Sequence, residues 1–267
     1  MTPSGTSSGR SEKITPSGLN SARIREILLD IEGTITPIAF VHEVLFPYAS
    51  SHVGDYLASH FGDAETKADI TRLRQEHTID IDNDLKPPML TDESTHDQIE
   101  SIVSYVHWLI ERDRKSTGLK SLQGKIWRQG YTDGTLKAPV FADVAPALVR
   151  WRDAGLKICT FSSGSLVAQQ LLFAHTALGD LTHLIDGYFD TTTGLKTVTD
   201  SYRQIASARR RAEDEVLFIS DVVAELDAAS AAGMQTLLCV RPGNPAQDAG
   251  RHQVIRNFDE IPLPAAP

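Results

Sequence analysis

Two carboxylates, Asp30 and Glu32, follow a short apolar run and are separated by a single residue. Along an extended chain, side chains two residues apart point to the same side, so both carboxylates can face one site while Ile31 turns inward. A carboxylate with a reference pKa of about 4 is ionised at neutral pH. Crowding two of them together requires a compensating cation. The pair therefore predicts a cation-dependent site at the end of a buried strand.

Three further polar clusters follow predicted strands or lie in the loops between them. Residues 162–165 read SSGS, and residues 194–197 read GLKT. Asp221 follows the apolar run VLFIS, with Glu225 and Asp227 just beyond it. Ligands of parallel α/β sheets bind outside the carboxyl ends of the strands. The residues of these clusters are therefore the candidates for chemistry.

These residue types can transfer a phosphoryl group. Asp30 is the predicted nucleophile, because carboxylates are established phosphoryl acceptors in covalent catalysis. Glu32 is the predicted general acid for the leaving alcohol and then the base that activates water. Lys196 is predicted to neutralise Asp30 and a phosphate oxygen, while the Ser162 hydroxyl and the amides of the SSGS turn hold the other oxygens. Asp221 adds a third oxygen ligand, and an all-oxygen set favours Mg²⁺.

Each of these residues also has an explanation that involves no chemistry. Asp30 could simply end a strand, and the SSGS turn or Asp221 could cap a helix. A lone loop lysine such as Lys196 is usually solvated. Their joint occurrence, in this order and at these strand ends, favours catalysis. The stretch RKSTGLKSLQGKIWRQG stays open between two interpretations, in which Lys125 and Arg128 either admit a phosphorylated substrate or face solvent; we favour solvent exposure for most of its basic residues.

The remaining pattern predicts an α/β fold with a Rossmann-like parallel-sheet core. Apolar runs such as LKICTF, VLFIS and TLLCV alternate with helical segments, which favours right-handed βαβ units. Residues 40–135 differ, because they carry helical periodicity, as in HDQIESIVSYVHWLIER. We expect an α/β core of residues 23–39 and 136–267 with an all-helical insertion at 40–135. Residues 1–22, rich in Ser, Thr, Gly and Pro, are predicted to be a disordered tail.

The composition argues against several classes of protein. The formal net charge of −9 over 267 residues disfavours a nucleic-acid binder, which needs a positive field. No run approaches the roughly 18 apolar residues of a membrane span. Cys159 and Cys239 lie in apolar runs and are predicted to be buried and reduced, which fits the cytoplasm. A nuclear location stays open for a eukaryotic source. Without coiled-coil heptads, we expect a monomer.

The order of the clusters resembles the haloacid-dehalogenase-like phosphotransferase superfamily. Five segments also resemble the enolase-phosphatases, or acireductone synthases, of methionine salvage: DIEGTITPIAFVHEVLFPYA, LQGKIWRQGYTDGTLKAPVFADV, FSSGSLVAQQLLF, TTTGLKTVTDSYRQIA and FISDVVAELDAASAAGM. The resemblance covers nearly all of residues 27–243, and the DIEGT and GKIWRQGY strings are specific. The chain departs from the superfamily at Glu32, where Asp is usual, and from the family at Ile35, where Thr is common.

The resemblance implies a fold of haloacid-dehalogenase type, in which the insertion at 40–135 is a cap that closes over the pocket and excludes water. It also implies one Mg²⁺ per subunit and a phosphorylated small-molecule substrate. The implied metal ligands are Asp30, Glu32 and Asp221. The implied substrate-binding residues are Ser162, Ser163 and Lys196, and the implied catalytic residues are Asp30 and Glu32.

The reaction implied is enolisation of 2,3-diketo-5-methylthiopentyl-1-phosphate followed by loss of phosphate, giving the acireductone 1,2-dihydroxy-3-keto-5-methylthiopentene. Mg²⁺ can stabilise an enolate as a Lewis acid; Glu32 is a candidate for taking the proton by proximity alone. Two alternatives stay open: another haloacid-dehalogenase-type small-molecule phosphatase or phosphomutase, and a non-catalytic module that binds phosphorylated ligands. The set of Asp30, Glu32, Lys196 and Asp221 argues against the module, because a binder needs no nucleophile.

Overall fold

The sheet lies at the centre of the computed structural model, which describes residues 19–261. Its strands are β1 Glu26–Leu29, β2 Lys157–Phe161, β3 Gly187–Phe189, β4 Val216–Ser220, β5 Gln235–Cys239 and β6 Gln253–Ile255. Within the described residues they form one parallel sheet in the order β3-β2-β1-β4-β5-β6. This topology confirms the predicted α/β fold.

Apart from Glu26 and Ser220, the two central strands are apolar without alternation, because both faces of the sheet are covered. All four residues of β1 and all five of β4 are buried, as is typical of parallel strands between helical layers. Strand β6 is the one element of the sheet that the sequence pattern does not predict. It has three residues, and its middle residue, Val254, is exposed, so it leaves no apolar run to recognise.

Helices cover the sheet and fill the long segment after β1. In chain order they are α1 Phe46–His60, α2 Ala64–Asp82, α3 Thr95–Glu111, α4 Thr117–Thr132, α5 Val144–Asp153, α6 Leu166–Ala174, α7 Thr199–Arg209 and α8 Val223–Ala232. A π-helical turn, Phe40–Leu45, leads directly into α1. None of the helices within residues 19–261 combines the length and apolar character needed to span a membrane.

Helices α1–α4 occupy the segment predicted to be helical, and we call them the cap. Helix α4 is not evident from sequence, because three glycines interrupt its pattern: Gly118, Gly124 and Gly130. Two of them allow close packing. A Cβ at Gly118 would lie 2.9 Å from the side chain of Leu73, and one at Gly130 would lie 2.6 Å from the ring of Tyr48. Glycine lowers helix propensity but lets α4 approach α2 and α1 closely.

The structure describes only the last residues of the predicted tail, whereas it describes both cysteines that were predicted to be buried. Of the tail predicted at 1–22, residues 1–18 lie outside the described residues. The backbone N–H of Asn20 donates to Oε1 of Gln235 at 2.8 Å, so contacts with the core begin before residue 23. Cys159 and Cys239 are free thiols and both are buried, as expected from their apolar runs.

Candidate active site

A cavity of about 320 Å³ lies at the carboxyl ends of the strands, with the cap forming its other wall. All six residues predicted from sequence to act in the site line this one cavity. They are Asp30, Glu32, Ser162, Ser163, Lys196 and Asp221. Parallel strands bring their carboxyl ends to the same edge of a sheet, which explains why segments distant in sequence meet there.

Asp30 and Lys196 form a buried ion pair at the base of the cavity. Asp30 is 2% exposed and Lys196 7% exposed, and the ammonium donates to Oδ1 of the carboxylate. The same ammonium lies 2.7 Å from Oε2 of Glu225, the first acidic residue of α8. Burial alone would lower the pKa of Lys196, but Asp30 and Glu225 together raise it above its usual value. Lys196 is therefore charged at neutral pH.

Asp221 adjoins Asp30 and is held against the backbone of the β1 loop. It is buried, and its carboxyl group is within hydrogen-bonding reach of Asp30. Gly33 has a φ of +80°, and a Cβ at this position would lie 2.3 Å from Oδ2 of Asp221. Glycine at position 33 therefore serves both the turn after the nucleophile strand and the close approach of this carboxylate.

Glu32 faces the strand end of β2. The hydroxyl of Ser162 lies 3.0 Å from Oε1 and 3.1 Å from Oε2 of Glu32, and it donates to this carboxylate. The backbone N–H of Gly164 in turn donates to Oγ of Ser162 at 2.9 Å. Ser162 thus links the carboxylate that follows β1 to the loop that follows β2.

The SSGS loop opens helix α6 beside the cavity. The Ser165 hydroxyl accepts from the N–H of Ala168 and caps the helix. Gln169 supports the loop from behind, because its amide donates to the carbonyl oxygens of Gly164 and Phe189. Ser163 is exposed toward the cavity. The start of a helix favours an anion such as phosphate. In α6 the N–H groups of Leu166 and Ala168 already donate to Asp190 and Ser165.

The charges at the base of the cavity do not balance. Four carboxylates, those of Asp30, Glu32, Asp221 and Glu225, surround the single ammonium of Lys196. Burial, followed by the charge of Asp30, raises the pKa of Asp221 to about 8 and that of Glu225 to about 7. The same two causes raise the pKa of Glu32. Carboxylates so reluctant to ionise indicate a place where a cation belongs.

The oxygen atoms available suit a magnesium ion. Within residues 19–261, no three His, Cys, Asp or Glu side chains converge closely enough to hold a metal by themselves. Asp30 and Asp221 adjoin, whereas both carboxylate oxygens of Glu32 face Ser162. Mg²⁺ commonly binds through one or two carboxylates, several waters and a substrate phosphate. The pair of Asp30 and Asp221 fits this mode of binding.

The cap supplies an apolar wall and several cations. Its apolar lining comes from the π-helical turn and from α1, α3 and α4: Val41, Leu45, Phe46, Leu109, Ile110, Leu119 and Trp127. The cations that line the cavity from the cap side are Arg114, Lys115 and Lys120. The cavity therefore combines charged and apolar lining residues.

Sequence reasoning assigned no role to Glu225 and Lys120, although both line this cavity. Glu225 was noted after β4 but given no role, and Lys120 was one basic residue in an ambiguous stretch. Within that stretch the expectation of solvent exposure is wrong for Lys125, which pairs with buried Asp69 at 2.5 Å. An i, i+3/i+4 reading of α4 could have placed Lys120 on the face of Gln123 and Trp127, both of which also line the cavity.

Comparison with known proteins identifies the family. The family model of haloacid dehalogenase-like hydrolases matches residues 24–233. Enolase-phosphatase E1 of Synechococcus elongatus is 51% identical over 238 residues, covering 89% of this chain and 98% of that protein. Enolase-phosphatase E1 of Xenopus tropicalis is 42% identical over 245 residues, covering 90% and 95%. The crystal structure of UTR4 protein from Saccharomyces cerevisiae aligns with a TM-score of 0.71 and 37% identity, over 88% of this chain and 99% of that one. The chain belongs to the enolase-phosphatase E1 family of haloacid dehalogenase-like hydrolases.

Proposed function

We propose that this protein enolises 2,3-diketo-5-methylthiopentyl-1-phosphate and then releases its phosphate, yielding the acireductone 1,2-dihydroxy-3-keto-5-methylthiopentene in methionine salvage. The observation that carries the proposal is the convergence of six predicted residues on one cavity in a chain that is 51% identical to an enolase-phosphatase E1. The mixed lining of the cavity adds support. A phosphate suits its charged residues, and a methylthioalkyl chain suits its apolar residues.

Asp30 is the proposed nucleophile. Its carboxylate attacks phosphorus, and the bond from phosphorus to the ester oxygen breaks, leaving an aspartyl phosphate. Lys196 holds Oδ1 of Asp30, so the attacking carboxylate is fixed in orientation and its repulsion of the phosphate is reduced. Ser162 and Ser163 are the predicted binders of the remaining phosphate oxygens. Because the hydroxyl of Ser162 donates its one proton to Glu32, Ser163 is proposed to supply the hydroxyl donor to the phosphate.

Glu32 is the proposed proton carrier of the phosphatase step. The raised pKa of Glu32 keeps the proton available for the departing oxygen. Once the alcohol has left, the ionised carboxylate takes a proton from water, which attacks the aspartyl phosphate. The hydrogen bond from Ser162 keeps the carboxylate in one orientation through both stages.

Enzymes of the haloacid dehalogenase-like family typically use Mg²⁺. We propose one Mg²⁺ per subunit, held by Asp30 and Asp221, with Glu32 as a third predicted ligand. When bound, Mg²⁺ supplies the positive charge that lets an anionic nucleophile and a phosphate ester approach each other, and it acts as a Lewis acid toward substrate oxygens. Asp30→Asn and Asp221→Asn should both weaken its binding.

We further propose a monomer that works in the cytoplasm, with a nuclear location open for a eukaryotic source. Two buried, free cysteines fit a reducing compartment. The net charge of −9 argues against a nucleic-acid partner. A phosphorylated small molecule is the partner that the cavity fits.

The test mixes purified protein, Mg²⁺ and the diketo phosphate and follows enol absorbance and free phosphate together. We expect an absorbing enol that precedes phosphate release. Phosphate release without an enol would indicate another phosphatase of this fold. Absence of both signals would indicate either an enzyme for another phosphate ester or the phospholigand-binding module. Asp30→Asn should lower the rate of phosphate release by about 10⁴-fold or more. Asp55→Asn, which changes an exposed residue of the cap, should leave this rate unchanged.

A further inference from the structure

Lys120 reaches from the cap to the loop predicted to bind phosphate. It stands in the first turn of α4, lines the cavity and is partly buried. Its Nζ donates to the backbone oxygen of Ser163 at 3.0 Å and lies 3.5 Å from Oγ1 of Thr191. The ammonium group is therefore next to the position that the phosphate of a substrate would occupy.

The start of α4 is held firmly, which fixes where Lys120 can reach. The carboxylate of Glu76, on α2, accepts from the backbone N–H groups of Thr117 at 2.8 Å and Gly118 at 3.2 Å. Ser116 caps the helix by accepting from Leu119 at 2.9 Å. These bonds satisfy the first N–H groups of the helix and exploit its dipole. Lys120 therefore extends from a helical turn whose backbone N–H groups are held by hydrogen bonds.

The other cap cations around the cavity are already paired. Lys115 lies 3.3 Å from the carboxylate of Asp113, and Arg114 pairs with buried Asp80. Within residues 19–261, Lys120 forms no ion pair with a carboxylate at salt-bridge distance. Its hydrogen-bond partners are a carbonyl oxygen and a hydroxyl group. Both partners are neutral, so neither stabilises the protonated form of the amine as a carboxylate would.

We propose that Nζ of Lys120 is the group that carries the proton during enolisation. This inference rests on the proposed function, and it adds a second proton carrier to Glu32. The carbon that loses its proton lies between the phosphate ester oxygen and the first carbonyl group, two bonds from phosphorus. A phosphate seated at Ser163 therefore brings that carbon beside Lys120.

The step balances without another reactant. The neutral amine takes the proton, and the C–H electron pair forms the double bond to the neighbouring carbon. The π electron pair of the C=O bond at this neighbouring carbon moves to the oxygen, which gives an enolate. The ammonium then returns the proton to this oxygen, which gives the enol and restores the neutral amine. The net change is an isomerisation, and phosphoryl transfer to Asp30 follows as a separate step.

The surroundings of Lys120 make the neutral amine that this step requires easier to form than in an exposed lysine. Burial lowers the pKa of Lys120, and the charge of Lys115 lowers it further. Asp190, Glu32 and Asp113 act in the opposite direction, and the net direction is down. A lysine with a lowered pKa is a suitable general base.

The experiment compares enol formation by wild-type protein, Lys120→Met and Lys120→Arg, with Mg²⁺ and the diketo phosphate. Lys67→Met, which removes an exposed cap lysine, is the matched control. We expect Lys120→Met to lower kcat for enol formation by about 100-fold or more with KM changed by less than about threefold. Lys120→Arg should be equally slow, because a guanidinium does not deprotonate. Lys67→Met should match wild type.

Each other outcome overturns the assignment. Unchanged enol formation in Lys120→Met would show that Lys120 is not the proton carrier and would leave Glu32 as the candidate. Recovery in Lys120→Arg would show that only the positive charge matters, and a change confined to KM would reduce Lys120 to substrate binding. If wild-type protein formed no enol, the proposed function itself would fail, which is distinct from a failure of the Lys120 variants alone.

Discussion

The hydroxyl of Ser162 lies 3.0 Å and 3.1 Å from the two carboxylate oxygens of Glu32. The two residues are 130 positions apart in sequence and belong to the ends of neighbouring strands, β1 and β2. This contact joins the proposed proton carrier to the proposed phosphate loop. A substrate that moves the loop would therefore also move the proton carrier.

Ser162→Ala removes this hydrogen bond, and we expect kcat/KM for phosphate release to fall by about 10- to 100-fold, the range for a bond to a charged group. The bond lowers the pKa of Glu32, so its loss raises that pKa further. The alkaline limb of the kcat/KM profile should therefore move to higher pH. Steady-state kinetics across the pH range measure both effects. Ser104→Ala, exposed on α3, is the control, and an unshifted limb in Ser162→Ala would contradict the assignment.

Asp221→Asn tests the proposed metal site. Asn keeps the shape that fits against Gly33 but removes one of two adjoining carboxylates. We expect the Mg²⁺ affinity to fall by at least about 10-fold and the increase in Tm on adding Mg²⁺ to shrink accordingly. Thermal unfolding with a Mg²⁺ titration measures this. Asp227→Asn, exposed on α8, should respond to Mg²⁺ like wild type; an equal response from Asp221→Asn would exclude Asp221 as a ligand.

Arg241 ties the end of β5 to the loop that follows the nucleophile. It is 4% exposed and lies 4.6 Å from the ring centroids of Phe141 and Phe258. Two of its nitrogens donate to Asp143 at 2.9 Å, and Nε donates to the carbonyl oxygen of Thr34 at 3.1 Å. A guanidinium stacked and bonded in this way requires its partner carboxylate.

Asp143→Asn should lower the free energy of unfolding by about 3 kcal/mol at pH 7, because it leaves a buried guanidinium without its counter-ion. Burial raises the pKa of Asp143, but Arg241 and the N–H of Phe258 lower it more, so the folded value lies below the unfolded one. The stabilisation is thus complete above pH 4 or so and is lost as pH falls through the folded pKa.

Urea unfolding of both proteins from neutral to acidic pH measures this difference. The two curves of stability against pH should converge in acid. Asp259→Asn removes an exposed partner of Arg150 and is expected to change stability by less than about 1 kcal/mol. A difference between wild type and Asp143→Asn that persists unchanged in strong acid would contradict the assigned cause.

Both thiols should be unreactive in the native protein. Burial raises the pKa of Cys239 to about 12 and also raises that of Cys159 above its usual range. Since the thiolate is the reactive form, we expect Ellman's reagent at pH 8 to label neither residue until urea is added, and then to label both. Rapid labelling of the folded protein would show that one of these positions opens to solvent.

The elements with strong sequence patterns were predictable. Apolar runs precede Asp30 and Asp221, and Gly33 marks the turn after Asp30. These features are visible in the sequence and predict both strand ends. Helix α4 and strand β6 were not predictable. The glycines of α4 are explained by contacts with Leu73 and Tyr48, and β6 forms at the edge of the sheet by pairing with β5. Such contacts leave no periodic signal.

By itself the sequence determined which residue types stand at the strand ends, and hence the chemistry of Asp30, Glu32, Lys196 and Asp221. Tertiary structure decided which partners these groups meet. The hydrogen bond of Glu32 to Ser162, the second carboxylate on Lys196 and the reach of Lys120 across to Ser163 all join distant segments. The first two contacts depend on how strands and helices of the core meet, and the third depends on how the cap packs over the sheet. Hydrophobic periodicity carries no information about either arrangement.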